Sequence, residues 1–454
     1  MLKIGLASIC SLLLLTNLGL AQTETVSPKV FSLDQCVELA VKNNATLIAA
    51  KNSYNVAKSD VWTGWGRLLP NVNSDIGYSR RISWNPGGRE RYAILDTMPP
   101  YILGVVDAVV PPGIGKTKSY SASISAGQNW SLGGYDFYSI KEKNATRDSK
   151  GSSYQLARQE LILSVKQAYF DVLKAKMLLG IQEKALKRAE EQLKIAQTRY
   201  DLGSASFSDV LKAKVLHGDV KLALITAENT LKLTKASLNS WMAQNVDLPI
   251  EIEENLSQPT FDYSYEDALK QAIVENPNVN IARLSLSSAE AQMGMARSGF
   301  FPNFNLQGSY SWSNQDLDEI KYIRRRNYDW NLSASISFTI FENFTRKQNL
   351  SYAKANLNSS KENLRQTKND VALQLKQAFL GVQQAQEKTS LTKDKLQSAQ
   401  EDLDLMQEKY NLGAASILEL LDAEVSYKQA ESDQVQALYD YNLAVAQFEK
   451  AIGK

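Results

Sequence analysis

Few residues in this chain have the type and spacing that chemistry needs. His217 is the only histidine among 454 residues, which excludes a cluster of histidine metal ligands. The tripeptide Gly115-Lys116-Thr117 resembles the end of a phosphate-binding loop, but Val110 replaces the glycine that the motif requires five positions earlier. No strand–loop–helix pattern surrounds it, and we expect a plain loop there. These residues give no support for an enzyme, a metal site or a bound cofactor.

The amino terminus has the composition of a secretion signal. Lys3 precedes an apolar run that ends in a small-x-small cleavage pattern, which predicts a signal peptide over residues 1–21 and Gln22 as the new terminus. Cys10 lies inside that run, so Cys36 is the one cysteine expected in the mature chain. We expect Cys36 to be a buried apolar residue and expect no intrachain disulfide.

The net charge and the hydropathy of the chain bear on two questions: whether it binds nucleic acid and how it could cross a membrane. The net charge of +2 gives no electrostatic reason to expect nucleic acid. No run after the signal approaches the roughly 20 apolar residues of a spanning helix, so any membrane crossing must be made by strands.

One short passage occurs twice, as RYDLGSASFSDVLKAKV at 199–215 and as KYNLGAASILELLDAEV at 409–425. In each copy a glycine follows a long helical pattern and supplies the conformational freedom for a helix stop. The serine three residues later is suited to cap a returning helix. Each passage therefore predicts the tip of a helical hairpin. The residues concerned are Gly203, Ser206, Gly413 and Ser416.

The duplication extends over most of the chain. FSLDQCVELAVKNN, which begins at Phe31, matches YSYEDALKQAIVEN, which begins at Tyr263, and Pro70 matches Pro302 at the same offset. A period this long indicates a duplicated domain. We predict a first repeat over 22–245, an acidic proline-containing linker over 246–262, and a second repeat over 263–454.

Each predicted repeat contains the same elements. Ser32 and Ser264 are candidate N-caps of helices that end just before Pro70 and Pro302. Two strands with strict two-residue alternation follow each proline, and a long helical hairpin follows the strands. The hairpin helices carry a coiled-coil seam, with apolar or small residues at alternating spacings of four and three. The strands are predicted at 72–84, 120–132, 304–312 and 328–340, and the seams at 161–200 and 371–410.

The four strands have two interpretations. An antiparallel sheet of a soluble protein also buries one face and wets the other. Outer-membrane strands share this alternation and add a length of about ten residues, aromatic residues near the ends and a secretion signal. Four strands cannot enclose a lumen, because about eight already fill their interior with side chains. An outer-membrane barrel would have to be shared between copies of the chain.

The order of elements and the Tyr-x-x-Gly-x-x-Ser tip in both halves resemble the TolC-like outer membrane efflux proteins. The resemblance covers nearly the whole mature chain. It implies a homotrimeric mixed α/β membrane protein, in which four strands per chain form a twelve-stranded outer-membrane barrel that a long coiled-coil barrel of helices continues into the periplasm. It also implies that the hairpin tips dock a periplasmic adaptor, which joins the duct to an inner-membrane pump.

The resemblance also implies a gate at the tips. Glu419 and Asp422 match two acidic positions that form rings in the family, and Asp209 and Tyr410 match positions that hydrogen-bond across the closed gate. Ala415 stands where the family has a basic partner, so we expect a weaker or differently built closure. The alternative for the two acids is a solvated first helical turn, where carboxylates favour the helix dipole.

Two predicted external loops have open interpretations. Arg324, Arg325 and Arg326 lie between the third and fourth strands, either as a solvated loop or in contact with anionic lipid headgroups or lipopolysaccharide. The loop at roughly 85–118 is long and partly apolar. It could cover the barrel mouth as a lid or pack only against neighbouring copies.

The function predicted from the sequence is a passive exit duct for small molecules such as drugs and toxic compounds. A duct of a type I protein secretion system has the same architecture and remains an alternative. A periplasmic coiled-coil scaffold with a soluble sheet is an alternative of another class. The sequence does not identify the substrate or show whether the partner pump uses protons or ATP.

Overall fold

A computed structural model describes residues 29–95, 102–253, 260–323 and 325–454. These residues form two compact units. The first unit is drawn from Met1–Ala40 and Val165–Ser257, and the second unit from Val41–Ser164 and Gln258–Lys454. The expected signal peptide and Arg324 lie outside the described residues.

The second unit contains a four-stranded antiparallel sheet in the order β2-β5-β7-β8. Its strands lie close to the four predicted positions, and β2 and β7 begin directly after Pro70 and Pro302. The pairing of β5 with β7 joins strands from the two halves of the chain, which is why most residues of both halves share this unit. The strands are β2 Asn71–Asn85, β5 Gly113–Ser131, β7 Asn303–Asn314 and β8 Tyr328–Ser337.

The fourth strand is shorter than the alternation predicts. β8 ends at Ser337, which pairs with Asn303 at the start of β7. Pro302 precedes Asn303 and has no N–H to continue the ladder, so the apolar positions from Phe338 to Ile340 lie beyond the strand.

The predicted loop at 85–118 is wrong for most of its length. β3 (Gly88–Leu95) and β4 (Ile102–Val110) pair as a separate antiparallel hairpin, and β5 begins already at Gly113. Gly115, Lys116 and Thr117 therefore lie in a strand. Prolines separate the hairpin from the β2–β5 ladder because they cannot donate hydrogen bonds, and Gly87 turns the chain with φ +78°. The separating prolines are Pro86, Pro111 and Pro112.

Each helix predicted to end before a proline is in fact two helices. Asn44 caps the second helix of the first pair by accepting hydrogen bonds from the backbone N–H groups of Thr46 (3.0 Å) and Leu47 (3.2 Å). Asn276 does the same for Asn278, and Pro277 begins the helix after it. A short side-chain cap is the reason for both breaks. The helices are α1 Leu33–Asn43, α2 Ala45–Gly66, α5 Tyr265–Glu275 and α6 Pro277–Ser298.

The long helices form the two predicted hairpins. α3 and α4 pack through Ala185, Ala189 and Val220 in the first unit. α7 packs on α8 in the second unit through a core that contains Val382 and Tyr441. Among the described helices, none combines the length and hydropathy of a membrane-spanning helix. The hairpin helices are α3 Tyr135–Asp201, α4 Phe207–Trp241, α7 Thr345–Asn411 and α8 Ile417–Ile452.

Each half of the chain places two short helices before two sheet strands and two long helices after them. The domain boundaries given above stay a prediction. Part of the proposed linker is ordered, because β6 (Ile250–Ile252) pairs in parallel with β1 (Lys29–Phe31) in the first unit. These three-residue strands are too short for a visible alternation.

Glu251 holds this short sheet to the hairpin helices of the first unit. Its carboxylate accepts a hydrogen bond from the Lys235 ammonium at 2.8 Å and lies 3.5 Å from that of Lys176. The Lys235 hydrogen bond is the main cause that holds the pKa of Glu251 below its ordinary value. The buried side chain of Asn239 donates to the backbone oxygens of Val246 (3.2 Å) and Leu248 (2.9 Å).

We expect Glu251→Gln to increase amide exchange in residues 246–253 by less than about tenfold at pH 7, because exposed ion pairs contribute up to about 1 kcal/mol. The pKa is lowered by folding, so this stabilisation is present above the ordinary carboxyl pKa and is lost as the pH falls through the lowered value. Hydrogen–deuterium exchange with mass spectrometry measures both effects. Glu228→Gln, at an exposed position of α4, is the control and should leave the segment unchanged.

Candidate functional site at the two hairpin tips

Both hairpin tips end their first helix in the same way. In the first tip, Gly203 has φ +76°, its N–H donates to Tyr200 O at 2.8 Å, and Ser204 N–H donates to Arg199 O at 2.8 Å. This pair of bonds is a Schellman motif, which needs a residue in the left-handed region.

The second tip repeats the motif. Gly413 has φ +73° and donates to Tyr410 O at 3.1 Å, and Ala414 N–H donates to Lys409 O at 2.8 Å. The predicted role of both glycines as helix stops is confirmed.

The serines begin the returning helices through reciprocal capping boxes. Ser206 accepts from Asp209 N–H at 3.3 Å, and the Asp209 carboxylate accepts from Ser206 N–H at 3.2 Å. Ser416 and Glu419 form the same pair at 3.3 Å and 2.7 Å. The predicted serine caps are confirmed. The role of the acids was missed, although the Ser-x-x-Asp/Glu spacing is its sequence signature.

The two acidic positions of the second tip have different surroundings. Hydrogen bonds from the Ser416 N–H and then from its hydroxyl hold the pKa of Glu419 below its ordinary value. Asp422 is exposed three residues further along α8, and no hydrogen bond or ion pair joins its carboxylate to another described residue. Residues three apart share a helix face. The tip therefore presents two carboxylates side by side, of which only Asp422 is free of a capping role.

The tyrosines of the two tips differ in burial. Tyr410 is 5% exposed, whereas Tyr200 is 41% exposed, with its ring 5.5 Å from that of Phe207. Asp209 belongs to the first unit and Tyr410 to the second unit. The proposed hydrogen bonding of these two residues at a gate stays a prediction, as does the effect of Ala415.

The other candidate residues lie outside the tips. Cys36 is fully buried, and burial raises its pKa to about 12, which confirms the predicted apolar role. His217 lies 3.9 Å from Glu190 on the hairpin surface. Arg325 and Arg326 follow a 3-10 helix between β7 and β8, as predicted for the basic cluster.

No group of three potential metal-binding side chains occurs in the described part of the chain.

Comparison with known proteins gives a consistent result. The family model described as outer membrane efflux protein matches residues 36–244 and 268–454. The outer membrane protein TolC of Vibrio cholerae is 25% identical over 442 residues, which covers 94% of this chain and 92% of that protein. The pyoverdine export outer membrane protein OpmQ of Pseudomonas aeruginosa is 23% identical, with 93% and 83% covered.

The solved structure of the Neisseria gonorrhoeae MtrE outer membrane channel in its open state superposes with a TM-score of 0.76 at 20% identity. The match covers 93% of this chain and 88% of that channel. At this identity the likeness establishes the fold.

Proposed function

Because the chain belongs to the outer membrane efflux protein family, we propose that it is the exit duct of a tripartite system and passively conducts small molecules to the outside. Proteins of this family are efflux channels of the outer membrane that extend into the periplasm. The observation that carries the proposal is the family match, which spans both halves of the chain. OpmQ is named for pyoverdine export, which favours a small-molecule cargo over a secreted protein.

The dimensions of the sheet support a membrane-spanning role. Trp130 stacks on Phe304 at one end of the sheet, with ring centroids 5.7 Å apart, and Tyr120 contacts Tyr78 towards the other end at 5.0 Å. Trp130 and Tyr120 are ten residues apart on one face of β5, about 34 Å at about 3.4 Å per residue. A strand tilted by about 40° covers about 26 Å of membrane over that length, close to the apolar band of about 25 Å between aromatic girdles.

The outer strands of the sheet support an assembly. Every residue of β2 and β8 is exposed, and each strand leaves one backbone edge unpaired in the described sheet. Large apolar side chains lie on both strands, with Ile76 85% exposed and Trp330 68% exposed. Open edges of this kind pair with further strands. A homotrimer would supply twelve strands and close the barrel, with the apolar face towards lipid.

The tips are the proposed contact for the periplasmic adaptor and the proposed gate. In a trimer, three copies each of Glu419 and Asp422 would place six carboxylates around one aperture. Such a ring favours cations. The ionised state of Glu419 at its capping box supports this charge.

Conductance of the purified full-length protein in a planar lipid bilayer tests the proposed function. We expect discrete, cation-selective steps from protein extracted from outer membranes as trypsin-resistant trimers. Protein inactivated by boiling is the control. A well-folded monomer recovered from the soluble periplasmic fraction, without conductance, would contradict the duct and support the scaffold.

A further inference from the structure

Three cations lie together on one face of the β2–β5 ladder. Arg80 pairs directly with Lys118, and Lys116 pairs with Ile82, the next residue of β2 on the same face. All three charged side chains are exposed, and no hydrogen bond or ion pair joins them to another described residue. The strand pairing therefore holds three positive charges side by side that no hydrogen bond or ion pair to another described residue compensates.

This arrangement is unfavourable without a counter-charge. Like charges directly opposite each other on paired strands destabilise a sheet, because their Cβ atoms are only about 5 Å apart. β5 contains no acidic residue, and Asp75, the one acidic residue of β2, lies on the other face by strand alternation. A bound anion would convert the repulsion into three favourable contacts.

The cations interrupt an otherwise apolar face. The same face carries Ile76 and Tyr78 on one side of the cluster and Trp84 on the other, which are 85%, 56% and 70% exposed. An exposed apolar face is unfavourable against the water of a lumen and favourable against lipid chains. An anion bound here would therefore adjoin an apolar environment, as the phosphate of a lipid does.

The position along the strand matches a headgroup. Arg80 and Lys118 lie two residues beyond the Tyr78–Tyr120 pair, about 7 Å further along the strand. Tyrosine girdles mark the boundary between hydrocarbon and headgroups. The helices join the opposite end of the sheet, so the cluster belongs to the outer leaflet if those helices extend into the periplasm.

We propose that Arg80, Lys116 and Lys118 bind the phosphate groups of an anionic glycolipid of the outer leaflet, lipopolysaccharide, whose acyl chains lie along the apolar face of the sheet. The Arg80 guanidinium offers a planar fork for two phosphate oxygens, and each lysine adds a point charge. The exposed Trp84 indole beyond the cations suits the apolar face of a sugar ring. The assignment rests on the proposed function, because it requires the apolar face to contact the membrane.

A matched pair of variants tests the site. Arg80→Gln removes a charge from the cluster, whereas Arg81→Gln removes the same charge from the opposite face, where Arg81 pairs with Thr117. The triple variant Arg80→Gln, Lys116→Gln, Lys118→Gln removes the whole cluster. Full-length protein in detergent is titrated with purified lipopolysaccharide, and the rise in the thermal unfolding midpoint is followed by circular dichroism.

We expect lipopolysaccharide to raise the midpoint of the wild type and of Arg81→Gln equally. Arg80→Gln should need about tenfold more lipid for the same shift, since a charged hydrogen-bonding contact is lost, and the triple variant should show no shift. Equal shifts in the wild type and the triple variant would overturn the site. If inorganic phosphate at equal phosphorus concentration gave the same shift in the unfolding midpoint, the site would bind a free anion, and the lipid assignment would be overturned.

Bilayer conductance separates this inference from the proposed function. The triple variant should conduct as the wild type does, because its changes lie on the face away from the proposed lumen. A lipid-dependent shift without any conductance from the wild type would contradict the duct and leave the lipid site supported. Conductance with no lipid-dependent shift would contradict the lipid site alone.

Discussion

Replacing Gly133 with alanine is expected to destabilise the second unit by more than about 3 kcal/mol. Gly133 lies between β5 and α3, and a Cβ atom there would be 2.6 Å from both the Cα and the backbone oxygen of Ser298 at the end of α6. Moving the two backbones apart would strain the hydrogen bond that the neighbouring Leu132 N–H donates to Pro302 O at 3.0 Å. Overpacking against side chains already costs about 1–3 kcal/mol, and a backbone neighbour cannot change rotamer.

The yield of folded protein in the outer membrane and its thermal unfolding by circular dichroism measure this effect. Gly218→Ala is the matched control, because Gly218 lies inside α4 with open space around its Cβ position. That change should stabilise the protein by about 0.5–1 kcal/mol, since alanine loses less backbone entropy in a helix. A Gly133→Ala protein as abundant and as heat-resistant as Gly218→Ala would refute the close approach of β5 and α6.

Asp422→Asn is expected to reduce the cation-over-anion permeability ratio of the channel at least about threefold at low salt. In the proposed trimer the change removes three carboxylates from one narrow aperture, where low-dielectric walls focus the field. The effect should fade as the salt concentration rises and the Debye length falls from about 10 Å at 0.1 M to about 3 Å at 1 M. Reversal potentials across a salt gradient in planar bilayers give the ratio.

The choice of Asp422 follows from the capping box. Glu419→Ala would remove the N3 carboxylate that bonds Ser416 as well as a charge, so a change in conductance could come from a loosened tip. Asp422→Asn leaves those bonds in place. Asp394→Asn, at an exposed position of α7, removes one carboxylate away from the tip and should leave selectivity unchanged. If both variants kept the wild-type ratio, Asp422 would have no part in a gate.

The sequence predicts much of the candidate site, because the helix stops and caps depend on residues close together in the chain. The stop at Gly413 and the cap at Ser416 depend on residues within one turn of each other. The bond between Glu419 and Ser416 is equally local, but a prediction that treats the acid only as a charge does not include it. Tyr410 is buried whereas Tyr200 is exposed, and the sequence does not predict this difference. The two passages are similar in sequence, but the surfaces around them differ.

The fold likewise contains elements that the sequence predicts and elements that it does not. Alternation located all four sheet strands, although β5 begins earlier and β8 ends earlier than predicted, and the spacing of apolar residues located the long hairpins. Both patterns reflect which side of an element is covered. The hairpin of β3 and β4 is not predicted from the sequence, because the prolines at its base and its weak alternation resemble a loop pattern. The breaks at Asn44 and Asn276 were missed because the apolar pattern of a helix continues across a cap.

The sequence by itself determined the type and order of the sheet strands and long helices, the two tips and the family resemblance, because these depend on neighbours along the chain. Only the tertiary structure decided that β5 pairs with β7, that Gly133 meets Ser298, and that Arg80 faces Lys118. Each of these is a contact between residues far apart in the chain, and a shift of one residue in strand register would move Arg80 to the other face. Local periodicity does not set that register; the packing of the whole sheet does.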